Sequence, residues 1–527
     1  VLDDISIAKL CACIEQEVDV NRYEFQGVHA WPAFRIFLFY LMYGKYKEEF
    51  EEQDGYRLLR ASIQQHFTRL MQAAGLPKPD RPAEDFRAAP GPSAAPAPEQ
   101  AGRKILIFCN PDDYAAEPSG SYGSVMMEPW VERLRARHSV LHLEFLGSAG
   151  LAKLPRRYPT AFLPAIGDAD LVQAGQTLNE HDVRAISELS DKVNDYVGRA
   201  YKLNFRELSR HMLQNFIHFT AAKRTFDQFL DMHKPDTVFL ICYYYSIALG
   251  LLWSCRQRGI TTVEVQHGQN GDYHAPYSQW TVTPRDGYTL WPDIFLTWGG
   301  QSANNVARWL THATPHHRVI IGGHPAKPAA AEPFSPALAA LAARYRKRVL
   351  VTLQPFSAAT GVSPFLLKAM QAAPADWLWL IRCHPMAETD GVRSRFPPDV
   401  YQSFIPGGIK ELLERHGIAN AEVDMASTRP LQEVLHHTDH HVTNHSSTVL
   451  EALAKGVPTV FIHPLAEYFF ESLLARRQAA CANDVPSLLN TIERGWEGLS
   501  QPEPDDIAAW DPTWKDEFIE SILQEHR

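Results

Sequence analysis

Short runs of β-branched and aromatic residues recur along most of this chain, each followed by a turn and then by a stretch with helical spacing. Residues 105–108, 140–145, 238–242, 261–265, 294–297 and 319–321 form one series; 349–353, 377–381, 421–424, 440–443 and 459–462 form a second. Runs so short and so continuously apolar fit strands covered on both faces. Strands that alternate with helices need crossover connections, so each series predicts a parallel sheet with helices on both sides. At 527 residues the chain exceeds what one core usually organises. The expectation is an α/β protein of two Rossmann-like domains, 103–325 and 326–495. Ahead of them, 1–87 has apolar positions at three- and four-residue intervals and is expected to form a helical appendage. The Ala/Pro-rich segment 88–102, ending in PAPEQAG, is expected to be an extended linker from which the appendage can be separated.

Composition narrows the function classes. Apolar residues at 45% and charged residues at 21% describe a folded chain with a substantial core. A net charge of −10 gives no electrostatic footprint for a nucleic-acid backbone, so no nucleic-acid partner is expected. The seven cysteines are scattered and odd in number, with neither a disulfide framework nor zinc spacing, which fits a reducing cytoplasm. The first residues show no basic and then apolar leader. WPAFRIFLFYLMY at 31–43 carries Arg35 and is shorter than the roughly 20 residues a membrane span needs. Two roles fit it: a buried helix, and peripheral contact with the inner face of the cytoplasmic membrane, with Lys45 and Lys47 beside the headgroups. Neither sheet series carries a glycine-rich dinucleotide fingerprint after its first strand, which argues against a nicotinamide or flavin dehydrogenase.

The polar residues that interrupt the pattern sit where strands end. Ser446 and Ser447 fall between the 440–443 strand and a helix from 448, where hydroxyls and free amides can hold a phosphate or simply cap the helix. Glu451 follows one turn later. His384 and Pro385 end the 377–381 strand, Pro385 keeping the turn out of helical geometry so that His384 points into the crevice between domains. Arg382 shares the His384 side of the strand and adds positive charge. Gln354 ends the first strand of the second domain. On the first domain, the loop after the 261–265 strand holds Glu264, Gln266, His267, Gly268, Asn270, Asp272 and His274, a polar, glycine-permitted turn that can present a base to a hydroxyl. His267 is the leading base, since imidazole accepts a proton at neutral pH. Strand alternation sets Glu264 and Gln266 on one face and His267 on the other, which makes Asp272 the better carboxylate partner for His267. A covalent route would instead use Asp272 or Glu264 as nucleophile. The histidines at 436, 437, 440, 441 and 445 span a helix end, a turn and a strand, so they are not expected to converge on a metal.

The His384-Pro385 pair followed by Ser446-Ser447, in that order in the C-terminal half, resembles the His-Pro and Ser-Ser motifs of bacterial GT-B glycosyltransferases that build surface polysaccharides, the sialyl- and Kdo-transferases among them. Gln266-His267-Gly268 departs from their acidic pair and is similar to the histidine-glycine motif of the CDP-glycerol glycerophosphotransferases. The resemblance implies a GT-B fold with 496–527 returning to the first domain, a nucleotide-activated sugar as donor, and a glycan or glycolipid acceptor. It implies a donor site of Arg382, His384, Pro385, Ser446, Ser447 and Gln354, with Glu451 on the ribose. The acceptor side is then His267 with Gln266, Asn270 and His274. No metal and no bound cofactor are expected. A CMP-linked acidic sugar is the leading donor; a glycerophosphotransferase, a sugar-nucleotide epimerase and a non-catalytic glycan-binding protein are the alternatives.

Overall fold

In the computed structural model, the described residues are 7–50, 102–109, 114–116, 122–124, 126–145, 155–201, 204–268, 270–271, 274–310, 316–324, 335–354, 361–384, 398–507 and 522–523. Strands are numbered in chain order. β1 (Glu24–Phe25) and β2 (Val28–His29) make a small antiparallel hairpin, as do β4 (Tyr114–Ala116) and β5 (Tyr122–Ser124). The first large sheet contains β3 (Lys104–Cys109), β6 (Ser139–Phe145), β7 (Thr160–Leu163), β8 (Thr237–Leu240), β9 (Thr261–Val265), β10 (Ile294–Thr297) and β11 (Arg318–Ile321), in the order β11-β10-β9-β8-β3-β6-β7. The second contains β12 (Lys347–Thr352), β13 (Trp377–Arg382), β14 (Ala421–Glu422), β15 (His440–Thr443), β16 (Thr459–Phe461) and β17 (Ala480–Cys481), in the order β14-β13-β12-β15-β16-β17.

Every pairing within both large sheets is parallel. The protein is therefore α/β, with two Rossmann-like domains in the GT-B arrangement. β8 and β9 are buried along their whole length, as continuous apolar runs between two helical layers must be. In both sheets the chain reverses its direction of travel near the middle, which leaves a crevice at the carboxyl ends of the central strands. The short edge strands β7 and β17 carry too little periodicity to be read from sequence.

The N-terminal residues do not stand apart. Helix Ile7–Glu17, β1 and helix Trp31–Phe50 send Ile14, Phe25, Trp31 and Phe34 into the same apolar cluster as Phe216, Phe219 and Trp253 of the first domain. Phe25 lies 4.6 Å from Phe216, ring centre to ring centre. Glu15 and Arg35 form a fully buried ion pair. Glu15 also accepts from Trp31 Nε1 at 2.8 Å and from the Thr281 backbone N–H at 2.6 Å. Arg35 donates to the Ser278 carbonyl at 2.6 Å and lies 4.0 Å above the Trp280 ring. Against a separable appendage, the helices complete the first core, and Trp31, Phe34 and Phe39, aromatics that a headgroup layer would take, are buried in protein. The linker expected at 88–102 lies outside the described residues except for Gly102. Among the described residues no helix is long and apolar enough to cross a membrane.

The C-terminal segment touches both domains. Ile507 packs with Val449, Leu450 and Leu453 of the second domain and with Trp298 of the first. Ile522 and Leu523 join Ile105, Val263 and Ile294 in the first sheet's core.

Candidate active site

Strand order decides which polar residues meet. In the first sheet β8, β9 and β10 are neighbours, so their carboxyl ends bring together Tyr244, His267 and Trp298. In the second, β13, β12 and β15 are neighbours, which sets His384, Gln354 and His445-Ser446 side by side. The two groups face each other. A Cβ added to Gly268 would lie 3.8 Å from Ser447 Oγ, and one added to Gly271 would run into the Phe469 carbonyl oxygen at 2.3 Å. At 271 only glycine lets the chain approach the second domain so closely. The Gln301 side-chain amide also crosses to Ser472 Oγ at 3.2 Å.

His267 sits just beyond the end of β9 with 23% of its side chain exposed. Its Nε2 lies 3.3 Å from the Tyr244 hydroxyl, and its Nδ1 lies 3.9 Å from Glu264 Oε1. Strand alternation separates these two residues only while the strand lasts; β9 stops at Val265, and the turn brings the imidazole back over the carboxyl. Asp272, expected as the better partner, lies outside the described residues; Glu264, expected on the opposite face, comes within 3.9 Å of the imidazole. Burial pushes the Glu264 carboxyl up to about 8, against the lowering effect of the Tyr277 hydroxyl and the Cys242 backbone N–H, so it carries a proton at neutrality. Burial likewise holds His267 down at about 4, with the Val265 carbonyl opposing it. At pH 7 the pair is thus a protonated acid beside a neutral imidazole, whose lone pair is free to take a proton.

The remaining loop residues divide. His274 is edge-on to Tyr244 and Tyr277, both at 5.3 Å, and reaches Phe39 at 5.9 Å and Phe469 at 6.4 Å, so it belongs to an aromatic wall shared by three parts of the chain. Gln266, expected at the acceptor, is fully buried. Its amide donates to the Gly268 carbonyl at 2.7 Å and to Ser302 Oγ at 3.0 Å, and accepts from the Trp298 backbone N–H at 2.7 Å. With both donors and one acceptor site used inside its own domain, Gln266 holds the turn rather than meeting a ligand. Asn270 is buried, its carbonyl taken by Asn305 Nδ2 at 2.7 Å.

On the facing half, Ser446 Oγ accepts from the Thr448 backbone N–H at 3.3 Å and donates to Thr448 Oγ1 at 3.1 Å, so Ser446 closes the turn that leads into the helix Thr448–Ala454. Ser447 makes no capping bond and faces Gly268. Gln354 Nε2 lies 3.0 Å from His445 Nδ1. Arg382, expected to point at the donor, instead donates to the carbonyls of Ala426 at 2.6 Å and Arg429 at 2.8 Å, at the end of helix Asp424–Thr428. From there its charge still depresses His384, which burial first and Arg382 second hold at about 4. Pro385 lies outside the described residues. Glu451 is 13% exposed, accepts from Gln432 Nε2 at 3.5 Å and lies 3.5 Å from His324 Nε2. Burial raises it to about 7 against the nearby Arg382.

His324 and Tyr244 escaped the sequence reading although signals for both exist. Gly323-His324-Pro325 is a second His-Pro at a strand end, and Tyr243-Tyr244-Tyr245 directly follows β8. His324 packs 4.3 Å from Trp298 and reaches across to Glu451, joining the two domains beside the cleft.

The histidines near residue 440 do not converge. His441 lies between Thr352 Oγ1 at 2.8 Å and Thr459 Oγ1 at 3.1 Å, whereas His440 is enclosed on the opposite face of β15. Among the described residues no three or more His, Cys, Asp or Glu side chains are grouped to hold a metal. A cavity of about 870 Å³ lies elsewhere, at the amino ends of β3, β8 and β9, where Arg258 is already paired with Asp227 and Asp231.

No family model and no curated protein matches the sequence. Solved structures share its two-domain course at very low identity. A UDP-GlcNAc 2-epimerase from Neisseria meningitidis, bound to UDP-GlcNAc, is 12% identical over 80% of this chain and 99% of that one, with a TM-score of 0.42. The UDP-GlcNAc 2-epimerase of Methanocaldococcus jannaschii in complex with UDP-GlcNAc and UDP is 11% identical over 77% and 96%, at 0.43. The spinosyn rhamnosyltransferase SpnG, complexed with spinosyn aglycone, is 14% identical over 80% and 96%, at 0.37. Likenesses of this size carry no weight for what this chain does; its own residues have to.

Proposed function

We propose that this chain is a nucleotide-sugar-dependent glycosyltransferase, with the donor on the second domain and the acceptor on the first. The observation that carries the reading is the meeting of the His267-Gly268 turn with Ser447 across the crevice, with Glu264 and Tyr244 behind the imidazole. A base on one wall and small hydroxyls on the other leave the reacting atoms between them. The acceptor hydroxyl oxygen attacks the anomeric carbon while the bond from that carbon to the phosphate oxygen breaks. The nucleotide leaves with the electron pair, and the acceptor proton passes to His267 Nε2, displacing the long contact to Tyr244. Ser446, Ser447 and His384 stand where the departing phosphate is held. The leading donor is a CMP-linked acidic sugar and the acceptor a bacterial surface glycan, at the inner face of the cytoplasmic membrane.

A second reading is favoured by one feature, the Gln266-His267-Gly268 motif: transfer of glycerophosphate from CDP-glycerol, in which the acceptor oxygen attacks phosphorus and CMP leaves. Thermal shifts with CMP, CDP, UDP and GDP test the nucleotide site, since a ligand of the native state raises the midpoint by mass action. Incubation with CMP-linked sugars and with CDP-glycerol then separates glycosyl from glycerophosphate transfer by the mass added to acceptor. Absence of stabilisation by every nucleotide overturns both readings.

A further inference from the structure

The loop that carries His267 holds a buried amide with no hydrogen-bond partner at either end, Nδ2 and Oδ1 of Asn270. Buried polar groups are paired in the great majority of cases, so an amide orphaned at both ends asks for an explanation. Asn270 is 3% exposed, and its backbone is fixed by Asn305 on one side and by the contact of Gly271 with Phe469 on the other. The side chain cannot drift out to water without moving a loop clamped between domains. Its amide is both a donor and an acceptor, and so is each hydroxyl of a diol.

We propose that Asn270 is a specificity-determining residue that hydrogen-bonds a vicinal diol in the cleft, carried either by the acceptor sugar or by the ribose of the donor nucleotide. The proposal rests on the glycosyltransferase reading for the identity of those two sources. One diol hydroxyl accepts from Nδ2 and the other donates to Oδ1, filling both orphaned valences at once. A lone alcohol satisfies only one end of the amide, so the site discriminates against it.

The test uses the full chain, wild type and Asn270→Ala. Without ligand, the thermal midpoint of Asn270→Ala equals or exceeds that of wild type, because the amide has no partner to lose; a clear drop shows a structural role and overturns the proposal. In the ribose arm, CMP and 2′-deoxy-CMP are compared by thermal shift. In the sugar arm, methyl α-D-mannopyranoside and methyl α-D-galactopyranoside are compared with their isopropylidene ketals, whose diols are blocked, by saturation-transfer NMR. The expected result is about tenfold weaker binding of the free diol by Asn270→Ala in one arm, the scale of a lost hydrogen-bonded pair, with the blocked or deoxy probe unaffected. The arm that responds identifies the source. Equal binding by both proteins in both arms, or no diol-dependent binding by wild type in either, overturns the proposal. Diol-dependent glycoside binding without stabilisation by any nucleotide overturns the transferase reading and leaves Asn270 as assigned.

Discussion

The two walls of the cleft are built differently. On the first domain Glu264, Tyr277, Tyr244, His274 and His267 lock one another through short bonds and edge-on rings, and the N-terminal helices brace the wall from behind through Phe39 and the Arg35–Glu15 pair. On the second domain, Ser446, Ser447 and Gln354 are short polar hooks whose bonds reach only neighbouring residues or His445. A wall of interlocked rings keeps one geometry and suits a group that must meet a proton at a set place. A wall of small hydroxyls exchanges its local bonds for those of an incoming anion at little cost. Rigidity and exchangeability are thus divided between the domains.

The contrast can be broken most severely from behind the first wall. Glu15→Ala strands a buried guanidinium, and removal of one partner from such a pair costs about 3–5 kcal/mol; denaturant unfolding should show that loss. His267→Ala should keep donor-nucleotide binding near normal yet lose about 100-fold or more in transfer rate, measured by single-turnover transfer. Near-normal turnover in a folded variant removes the base from the first wall. Tyr277→Phe takes the donor from a buried carboxyl and should cost about 1–3 kcal/mol, with little change in nucleotide affinity. The Ser446→Ala, Ser447→Ala double change should reverse that pattern, with a small change in midpoint and about tenfold weaker nucleotide binding, the worth of one charge-assisted bond. Isothermal titration with CMP checks it.

The remaining test is of pH dependence. His142, His267, His317, His384, His324, His440 and His441 are all held near 3 or 4 by burial, below the ordinary 6.5. The unfolded chain therefore binds more protons between about 4 and 6.5, and stability is lost as pH falls through that window. Glu264 and Glu451, raised to about 8 and about 7, act the other way, contributing stability at low pH that fades as pH rises through those values. A thermal midpoint that peaks near pH 6.5 and declines more steeply on the acid side is expected. Glu264→Gln should flatten the alkaline decline.

Much of the fold was legible because strand and helix alternation is a local property. Strands β12 to β16 of the second sheet fall where the spacing sets them. What periodicity omits is partnership. The helices before residue 50 read as amphipathic, but nothing local tells a reader that their apolar side meets Phe216 and Trp253 rather than one another or a bilayer. The placement of His267, Gln354 and Ser447 was legible because each stands just past a strand end. Legibility failed where direction depends on the turn taken: Arg382 swings to cap a neighbouring helix, Gln266 closes on Trp298, and Glu264 comes under His267 once β9 ends.

The Glu15–Arg35 pair also sets a clock. The carbonyls that complete it, on Ser278 and Gln279, are 243 and 244 residues downstream of Arg35. During synthesis at about 5–20 residues per second, the N-terminal helices wait roughly 12–50 s for the surface they are shaped to cover. Over that interval Arg35 lacks the two carbonyls that complete its pairing with Glu15. Slowing translation ahead of codon 278 should therefore lower the yield of folded protein more than slowing it after.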